Sequence, residues 1–258
     1  MDLLKDYYGK RADEYELIYN RSEPVRQSEI AEIKKELYSY FKGLNVLEAA
    51  CGTGYWTEII SQTAKSTVAF DYSAEVIEIA KSKGLNAEFL IDDAYRMDNI
   101  KGIFDGGCAN FWFSHIPKEK INDFIKCFHK KLKPGARVFI ADNVYLEGVG
   151  GELISKAGDK NTYKKRKLLD GSSYEIMKNY YSTDELKELI KDHARDIEIK
   201  SSECFWRIKY NTTRCSKLKT VVQKSWLKSC LKMVAKSLTT TIKSLQCTTS
   251  KKLSIKFI

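Results

Sequence analysis

Residues 44–54, Leu-Asn-Val-Leu-Glu-Ala-Ala-Cys-Gly-Thr-Gly, run from an apolar strand through a carboxylate into a turn of small residues. Residues 55–63 can continue as a helix. Strand, glycine turn and helix in that order commit this part of the chain to a ligand-binding βαβ unit. Glycine lets the backbone approach a ligand and take φ values that a Cβ forbids. Charge then selects among ligands. A pyrophosphate at a helix N-terminus favours G-x-G-x-x-G with no carboxylate facing it. Here Thr57 holds the third glycine position and Glu48 closes the strand. That arrangement suits a cationic ligand without phosphate.

Two further strand ends repeat the pattern. Residues 66–70 form a short apolar run ending at Asp71, 17 residues after Gly54. A carboxylate at the tip of a second strand can accept hydrogen bonds from two ribose hydroxyls. Ser73 is placed to cap a helix that runs to about Lys83 and stops at Gly84. Residues 87–91 form a third strand ending Asp92-Asp93-Ala94, where a carboxylate could accept an adenine amino group. Three neighbouring strands ending in Glu48, Asp71 and Asp93 favour S-adenosylmethionine (AdoMet), whose sulfonium and amino groups are both positive.

With these residues in view, the chain resembles the class I AdoMet-dependent methyltransferases. The resemblance rests on Val46 to Gly54, Phe70-Asp71-Tyr72-Ser73, Asp92-Asp93-Ala94 and Leu132-Lys133-Pro134-Gly135-Ala136, and covers roughly residues 5–210. Ala50 stands where the family's loop usually has its first glycine. Within the class, Tyr7-Tyr8, Arg11-Ala12, Glu14-Tyr15, Ser114-His115-Ile116-Pro117, Asn161-Thr162-Tyr163 and Leu169-Asp170-Gly171-Ser172 are similar to a bacterial small-molecule subgroup. The resemblance implies an α/β fold, a doubly wound, seven-stranded, mostly parallel Rossmann-like sheet. It further implies a helical N-terminal lid over the cofactor (residues 1–43) and an AdoMet-binding domain (44–210).

The remaining pattern agrees with alternating strands and helices. Residues 103–110 read as a fourth strand, and 137–141 as a fifth, entered through Pro134-Gly135. Between them, Ile121, Phe124, Ile125 and Phe128 recur at helical spacing after Pro117. Residues 144–181 read as irregular, broken by five glycines. Ser182 starts a helix over 183–191, and strands follow at about 197–201 and 204–210.

In the expected site, Glu48 holds the cationic end of AdoMet. The turn from Ala50 through Cys51 and Gly52 to Gly54 accommodates its backbone, Asp71 and Tyr72 sit at the ribose, and Asp92, Asp93 and Ala94 sit at the adenine. Asn110 closes the fourth strand. Cys51 also reads as simply a small loop residue, and Tyr95 can flank the ring or pack in the core. Ligands in open α/β sheets lie beyond the carboxyl ends of the strands, which places the acceptor near Phe111, Trp112 and His115. His115 is the candidate proton acceptor; a histidine that caps the following helix or bonds a backbone carbonyl is the more ordinary reading of the same residue. Tyr8, Arg11, Tyr15, Trp112 and Asn143 are the candidate acceptor contacts, with Asp142 beside them. No metal is expected, since the seven cysteines form no C-x-x-C pair.

The charge divides the chain. Residues 211–258 contain 11 of the 44 Lys and Arg and none of the 34 Asp and Glu, so the rest holds 33 basic against 34 acidic residues. Lys224, Lys228, Lys232 and Lys236 recur every four residues opposite an apolar side. This basic tail reads as an extension without function, as a helix resting on anionic lipid or a partner, or as a nucleic-acid arm. The function expected is methyl transfer to a small-molecule acceptor. An RNA or tRNA methyltransferase anchored by the tail, and an AdoMet-binding protein without activity, stay open. No stretch is apolar enough to span a membrane, no signal-peptide core opens the chain, and the cysteine usage suits a reducing cytoplasm.

Overall fold

The computed structural model describes Arg11 and residues 16–213. Seven strands make its frame: β1 (Asn45–Ala49), β2 (Ser66–Asp71), β3 (Glu88–Ile91), β4 (Phe104–Asn110), β5 (Leu132–Asn143), β9 (Ala194–Ser201) and β10 (Phe205–Thr212). They form one sheet in the order β3-β2-β1-β4-β5-β10-β9. The first five pair in parallel. β10 runs antiparallel to both β5 and β9. Strand order reverses between β1 and β4, the switch point at which the carboxyl ends part and leave a crevice.

Helices cover both faces. On one, α4 (Ile121–Lys130) and α5 (Thr183–Ile190) bury Phe124, Phe128, Leu186 and Ile190 against Leu47, Val138 and Ile208. The apolar positions of α4 are the ones its spacing marked. Ser182 opens α5 with a full capping box, its hydroxyl accepting from the Glu185 N–H while Glu185 accepts from the Ser182 N–H. On the other face lie α1 (Pro24–Tyr40), the single turn α2 (Thr57–Ile60) and α3 (Ala74–Ser82). Ile30, Ile33 and Leu37 of α1 pack with Val46, Cys108 and Phe139. Polar contacts fasten α1 as well: the Glu29 carboxylate accepts from the N–H groups of Glu203, Cys204 and Phe205, and buried Arg207 donates to Glu32 and Glu36. Residues 24–40 thus form part of the layer on the sheet. The rest of the expected lid lies outside the described residues, Arg11, residues 16–23 and residues 41–43 apart.

Gly106 and Gly107 explain how β4 fits between these layers. A Cβ on Gly106 would stand 2.8 Å from the Phe41 ring, and one on Gly107 would stand 2.6 Å from Phe128. Both are closer than real Cβ contacts come, so each helical layer is packed onto bare backbone. Gly107→Ala is expected to cost about 1–3 kcal/mol by overpacking, read as a lower urea midpoint with unchanged slope. A loss under about 0.5 kcal/mol, the size of an ordinary surface substitution, would show that Phe128 can swing away.

Residues 144–181, expected to be irregular, contain a second, three-stranded antiparallel sheet of β6 (Leu153–Ser155), β7 (Thr162–Lys167) and β8 (Ser173–Met177). The alternation of β7 is carried by cations. Lys164 is buried with its Nζ donating to the carbonyls of Val149 and Gly151, whereas Lys165 and Lys167 are exposed. A strand whose inward and outward residues are both basic does not stand out by hydropathy. β10 also extends two residues beyond the expected boundary at 210. The basic tail beyond Thr213 lies outside the described residues.

Candidate functional site

A cavity of about 380 Å³ opens at the carboxyl ends of the parallel strands, large enough for a nucleoside-sized ligand. Its wall brings together Ala50 and Gly52 after β1, Asp71 and Tyr72 after β2, Asp92, Asp93 and Ala94 after β3, and Trp112 and His115 after β4. Phe70, Ser73, Val76, Tyr95, Pro117, Lys120 and Met177 complete it. Three aspartates against one lysine make this wall acidic, which disfavours a phosphate-bearing ligand.

The turn is held by Asp71. Its carboxylate accepts from the N–H of Gly52 at 2.9 Å and from that of Ser73 at 3.1 Å, so it joins the glycine turn to the start of α3. Burial pushes the Asp71 pKa up, and these N–H groups oppose the rise. Ala50 takes φ +53° and Gly52 φ +56°. For alanine the left-handed region costs about 1–2 kcal/mol, which accounts for glycine being the more usual residue in such a loop. Cys51 is buried behind the turn rather than in the wall, its N–H donating to the Phe70 carbonyl. Gly54 also lies behind it, against Ala80 and Leu85. Asp92 uses both oxygens on local backbone, accepting from Asp93 and Asn99 N–H groups at 2.8 Å each, so it shapes the loop that presents Asp93.

Glu48 sits elsewhere than expected. It is 1% exposed and absent from the cavity wall, with Oε2 accepting from the Thr57 hydroxyl at 2.7 Å. Strand alternation sends Val46 and Glu48 to the α1/α2 side and Leu47 and Ala49 to the other. Burial, with a smaller contribution from the Asp71 charge, pushes its pKa up to about 8. Asn110, at the end of β4, is buried with neither amide atom hydrogen-bonded, and it too is outside the wall. Next to it Phe111 takes φ +59°, an outlier for an aromatic residue. Stacking on Trp56 at 5.2 Å and an N–H donated to the Ala141 carbonyl hold it there. Such strain at a strand end marks functional segments, and here it turns the chain so that Trp112 and His115 reach the cavity.

Beyond His115 lies a second, smaller cavity of about 80 Å³. His115 lines both, and Arg11 and Asn143 line the second. Tyr8 and Tyr15 lie outside the described residues. The second cavity draws on segments that sequence reasoning missed: Arg166 from β7, and Ile176, Lys178 and Tyr180 at the end of β8. A buried polar knot seats them. Lys178 Nζ donates to Asp142 Oδ1 at 3.0 Å and to the Ser114 hydroxyl at 2.6 Å. Asp142 also accepts from the N–H groups of Ser114 and Asn143 and from the Asn143 side chain. Burial opposes ionisation of Asp142, but the Lys178 charge and the N–H donors outweigh it and hold the carboxyl below its usual range. Burial lowers the Lys178 pKa, and Asp142 partly offsets that cost.

His115 Nδ1 lies 2.7 Å from the Met177 carbonyl. A carbonyl only accepts, so Nδ1 carries the hydrogen and Nε2 the lone pair. Burial, then the Lys178 charge, pushes the His115 pKa down to about 3. The ring is therefore neutral at physiological pH, and it lines both cavities. Stability is expected to fall as pH drops from about 6.5 toward 3, because the unfolded ring then gains a proton that the folded one resists. His115→Asn should flatten that part of the pH profile, measured by thermal melts across the same range.

Comparison with known proteins agrees with this geometry. Residues 46–135 match the model of a methyltransferase domain family. The demethylmenaquinone methyltransferase of Lactococcus lactis is 33% identical over 104 residues, 37% of this chain and 40% of that protein. The ubiquinone biosynthesis O-methyltransferase of Xanthomonas oryzae is 25% identical over 134 residues, 47% of this chain and 54% of that protein. The chain thus spans about half the length of the curated relatives it matches. Among solved structures, the DhpI-SAM-HEP complex superposes with a TM-score of 0.66 at 26% identity, covering 81% of this chain and 96% of that one. A methyltransferase from Clostridium acetobutylicum shares the fold at a TM-score of 0.56 and 18% identity, covering 81% of this chain and 100% of that one.

Proposed function

We propose that this chain, a member of the class I AdoMet-dependent methyltransferases, transfers a methyl group from AdoMet to a small-molecule acceptor. The observation that carries the reading is the acidic cavity at the strand ends, with Asp71 fastened to a left-handed turn at its edge. The quinone-directed names of the curated relatives and the SAM-bound DhpI structure support it.

The residues present fit the cofactor. Asp71 would take the ribose hydroxyls, Asp93 and Ala94 the adenine edge, and Tyr72 the open side of the nucleoside. The backbone at Ala50 and Gly52 would meet the amino-acid end, and the unpartnered amide of Asn110 offers both a donor and an acceptor at the neighbouring strand end. When bound, AdoMet supplies an electrophilic methyl on a sulfonium with a neutral leaving group. What remains for the protein is alignment and exclusion of water, and such orientation can supply roughly 7–11 kcal/mol. Trp112 and His115 line the first cavity, and His115 the second as well, so the acceptor would meet AdoMet beside them. Four described cysteines are free, three of them buried, in keeping with a reducing, cytoplasmic setting. Among the described residues no helix is long and apolar enough to cross a membrane.

Calorimetry with AdoMet, S-adenosylhomocysteine and NAD tests the reading. AdoMet and its product are expected to bind and NAD to fail. Loss of the Asp71 carboxylate in Asp71→Ala removes charge-assisted bonds of about 1.5–3 kcal/mol, so AdoMet affinity should fall on the order of 10- to 150-fold. NAD binding without AdoMet binding would refute it. Truncation after Thr213 addresses the tail: an unchanged rate on the acceptor at every salt concentration removes the tail-anchored RNA alternative.

A further inference from the structure

We propose that the second cavity is an oxyanion pocket, so that the methyl acceptor is a small molecule bearing a carboxylate or a phosphorus oxyanion seated among Arg11, Arg26, Arg166 and Lys178. The inference rests on the methyltransferase reading for the word acceptor, but the pocket itself is argued independently of it.

The wall of this cavity has one sign. Arg11, Arg21, Arg26, Arg166 and Lys178 line it together with neutral His115, and among the described residues it contains no Asp or Glu. Lys178 is matched from behind by Asp142, and Arg21 pairs with Glu23. Arg26 is 7% exposed, yet its guanidinium lies over the Phe205 ring at 4.7 Å and its Nε donates to the Ile18 carbonyl at 3.3 Å. Charges gathered this way repel. Burial and then the Arg21 charge disfavour the charged form of Arg26; burial disfavours that of Lys178, and Arg166 and Arg11 add to it. Arg26 and Lys178 are buried and Arg11, Arg21 and Arg166 half-buried, and an anion seated among them would offset this mutual repulsion. Guanidinium forks match planar carboxylates and tetrahedral phosphorus oxyanions in a bidentate way that solvent does not reproduce.

Size and position narrow the ligand. At about 10–15 Å³ per water-sized group, 80 Å³ admits on the order of five to eight heavy atoms, a headgroup rather than a ring system. Gly150 makes room for one wall: a Cβ there would stand 2.5 Å from Arg166 Nη1. His115 belongs to both cavities, so a molecule anchored in the second extends directly toward the acidic first. The opposed fields orient it: its anionic end is repelled by the aspartates and drawn to the arginines.

The test is calorimetric titration of the full chain with inorganic phosphate, methylphosphonate and acetate, against acetamide as the neutral isostere of acetate. At least one anion is expected to bind with an affinity that weakens as salt rises, and acetamide to show none. Arg166→Gln and Arg26→Gln should each weaken that anion about tenfold or more while AdoMet binding stays unchanged. Arg166→Lys should recover part of it and guards against a variant that fails to fold. Phosphate and methylphosphonate binding without acetate assigns a phosphorus oxyanion; the reverse assigns a carboxylate. Acetamide binding as well as acetate, or anion binding equal in wild type and both glutamine variants, would overturn the proposal. Loss of AdoMet binding by the wild-type chain would instead strike the methyltransferase reading and leave the pocket to be judged by the anions alone.

Discussion

Asp142→Ala is expected to destabilise the fold by about 3–5 kcal/mol and to dismantle the second cavity. The carboxylate is fully buried and is the shared acceptor for Lys178 Nζ, the Ser114 N–H and the Asn143 N–H and side-chain amide. Removing one partner of a buried ion pair leaves an uncompensated charge, which costs far more than the intact pair contributes. Here the stranded group is the Lys178 ammonium, 5% exposed, with the Ser114 hydroxyl as its remaining bonded partner. The loss should reach further than the pair, because the adjoining Asn179 amide donates to the Ile116 carbonyl while its N–H donates to the Ser114 carbonyl. These bonds dock the end of β8 on the 113–117 segment. Lys178→Met added to Asp142→Ala should restore part of the stability, since the offending charge is then gone. The pH dependence has a definite sign: the folded pKa of Asp142 is lowered, so its contribution is present above about pH 4 and lost as pH falls through the folded value. Urea unfolding of wild type, the single variant and the double variant checks this; a single-variant loss below about 1 kcal/mol, no more than an exposed pair contributes, would show that the knot is not a structural pair.

What sequence reading could and could not see follows from the range of each interaction. The Ala50–Gly54 turn, Asp71 and Asp93 are local: a strand end and the next few residues fix them, and Ala50, Gly52, Asp71 and Asp93 meet at one cavity while Cys51 and Gly54 support it from behind. The apolar face of α4 and the Ser182 cap are equally local. Arg166, Lys178 and Tyr180 are different. They reach the site from a second sheet whose strands pair across an intervening turn, in a stretch where buried Lys164 alternates with exposed Lys165. No single-residue signal marks Lys178; of the pair, only Asp142 stands out in the sequence, and for another role. Glu48 is the instructive intermediate. It stands close before the turn, as a ligand contact would, but two residues short of it, where α2 covers the side chain and the Thr57 hydroxyl takes its carboxylate. Asp71 shares that face, since Glu48 pairs with Ala69, but the register carries Asp71 two residues further, level with Ala50 at the turn, and this offset along the strand separates the two carboxylates.

Glu48→Gln is therefore expected to alter the pH dependence of stability rather than to leave it parallel to wild type. In the unfolded chain this carboxyl titrates at its ordinary value of 4.5; in the fold, burial raises it to about 8. A raised folded pKa stabilises fully below the unfolded value, and that contribution disappears as pH climbs through the folded one. Between pH 4.5 and 8 wild type should lose stability steadily, toward a limit on the order of 5 kcal/mol at about 1.4 kcal/mol for each pH unit. Glutamine keeps the shape and still accepts the Thr57 hydroxyl bond, but does not ionise. The two proteins should be nearly equal at pH 4.5 and diverge above it, the variant being the more stable by several kcal/mol once pH passes about 8. Thermal and urea unfolding across that range decide the matter, and curves that stay parallel would mean that the carboxyl ionises normally. AdoMet affinity measured on the same variant separates the two roles for this residue. A carboxylate that holds the cationic end of the ligand must ionise on binding, so its loss in Glu48→Gln would weaken AdoMet binding about tenfold or more; a carboxyl that only braces α2 through Thr57 would leave affinity where it was.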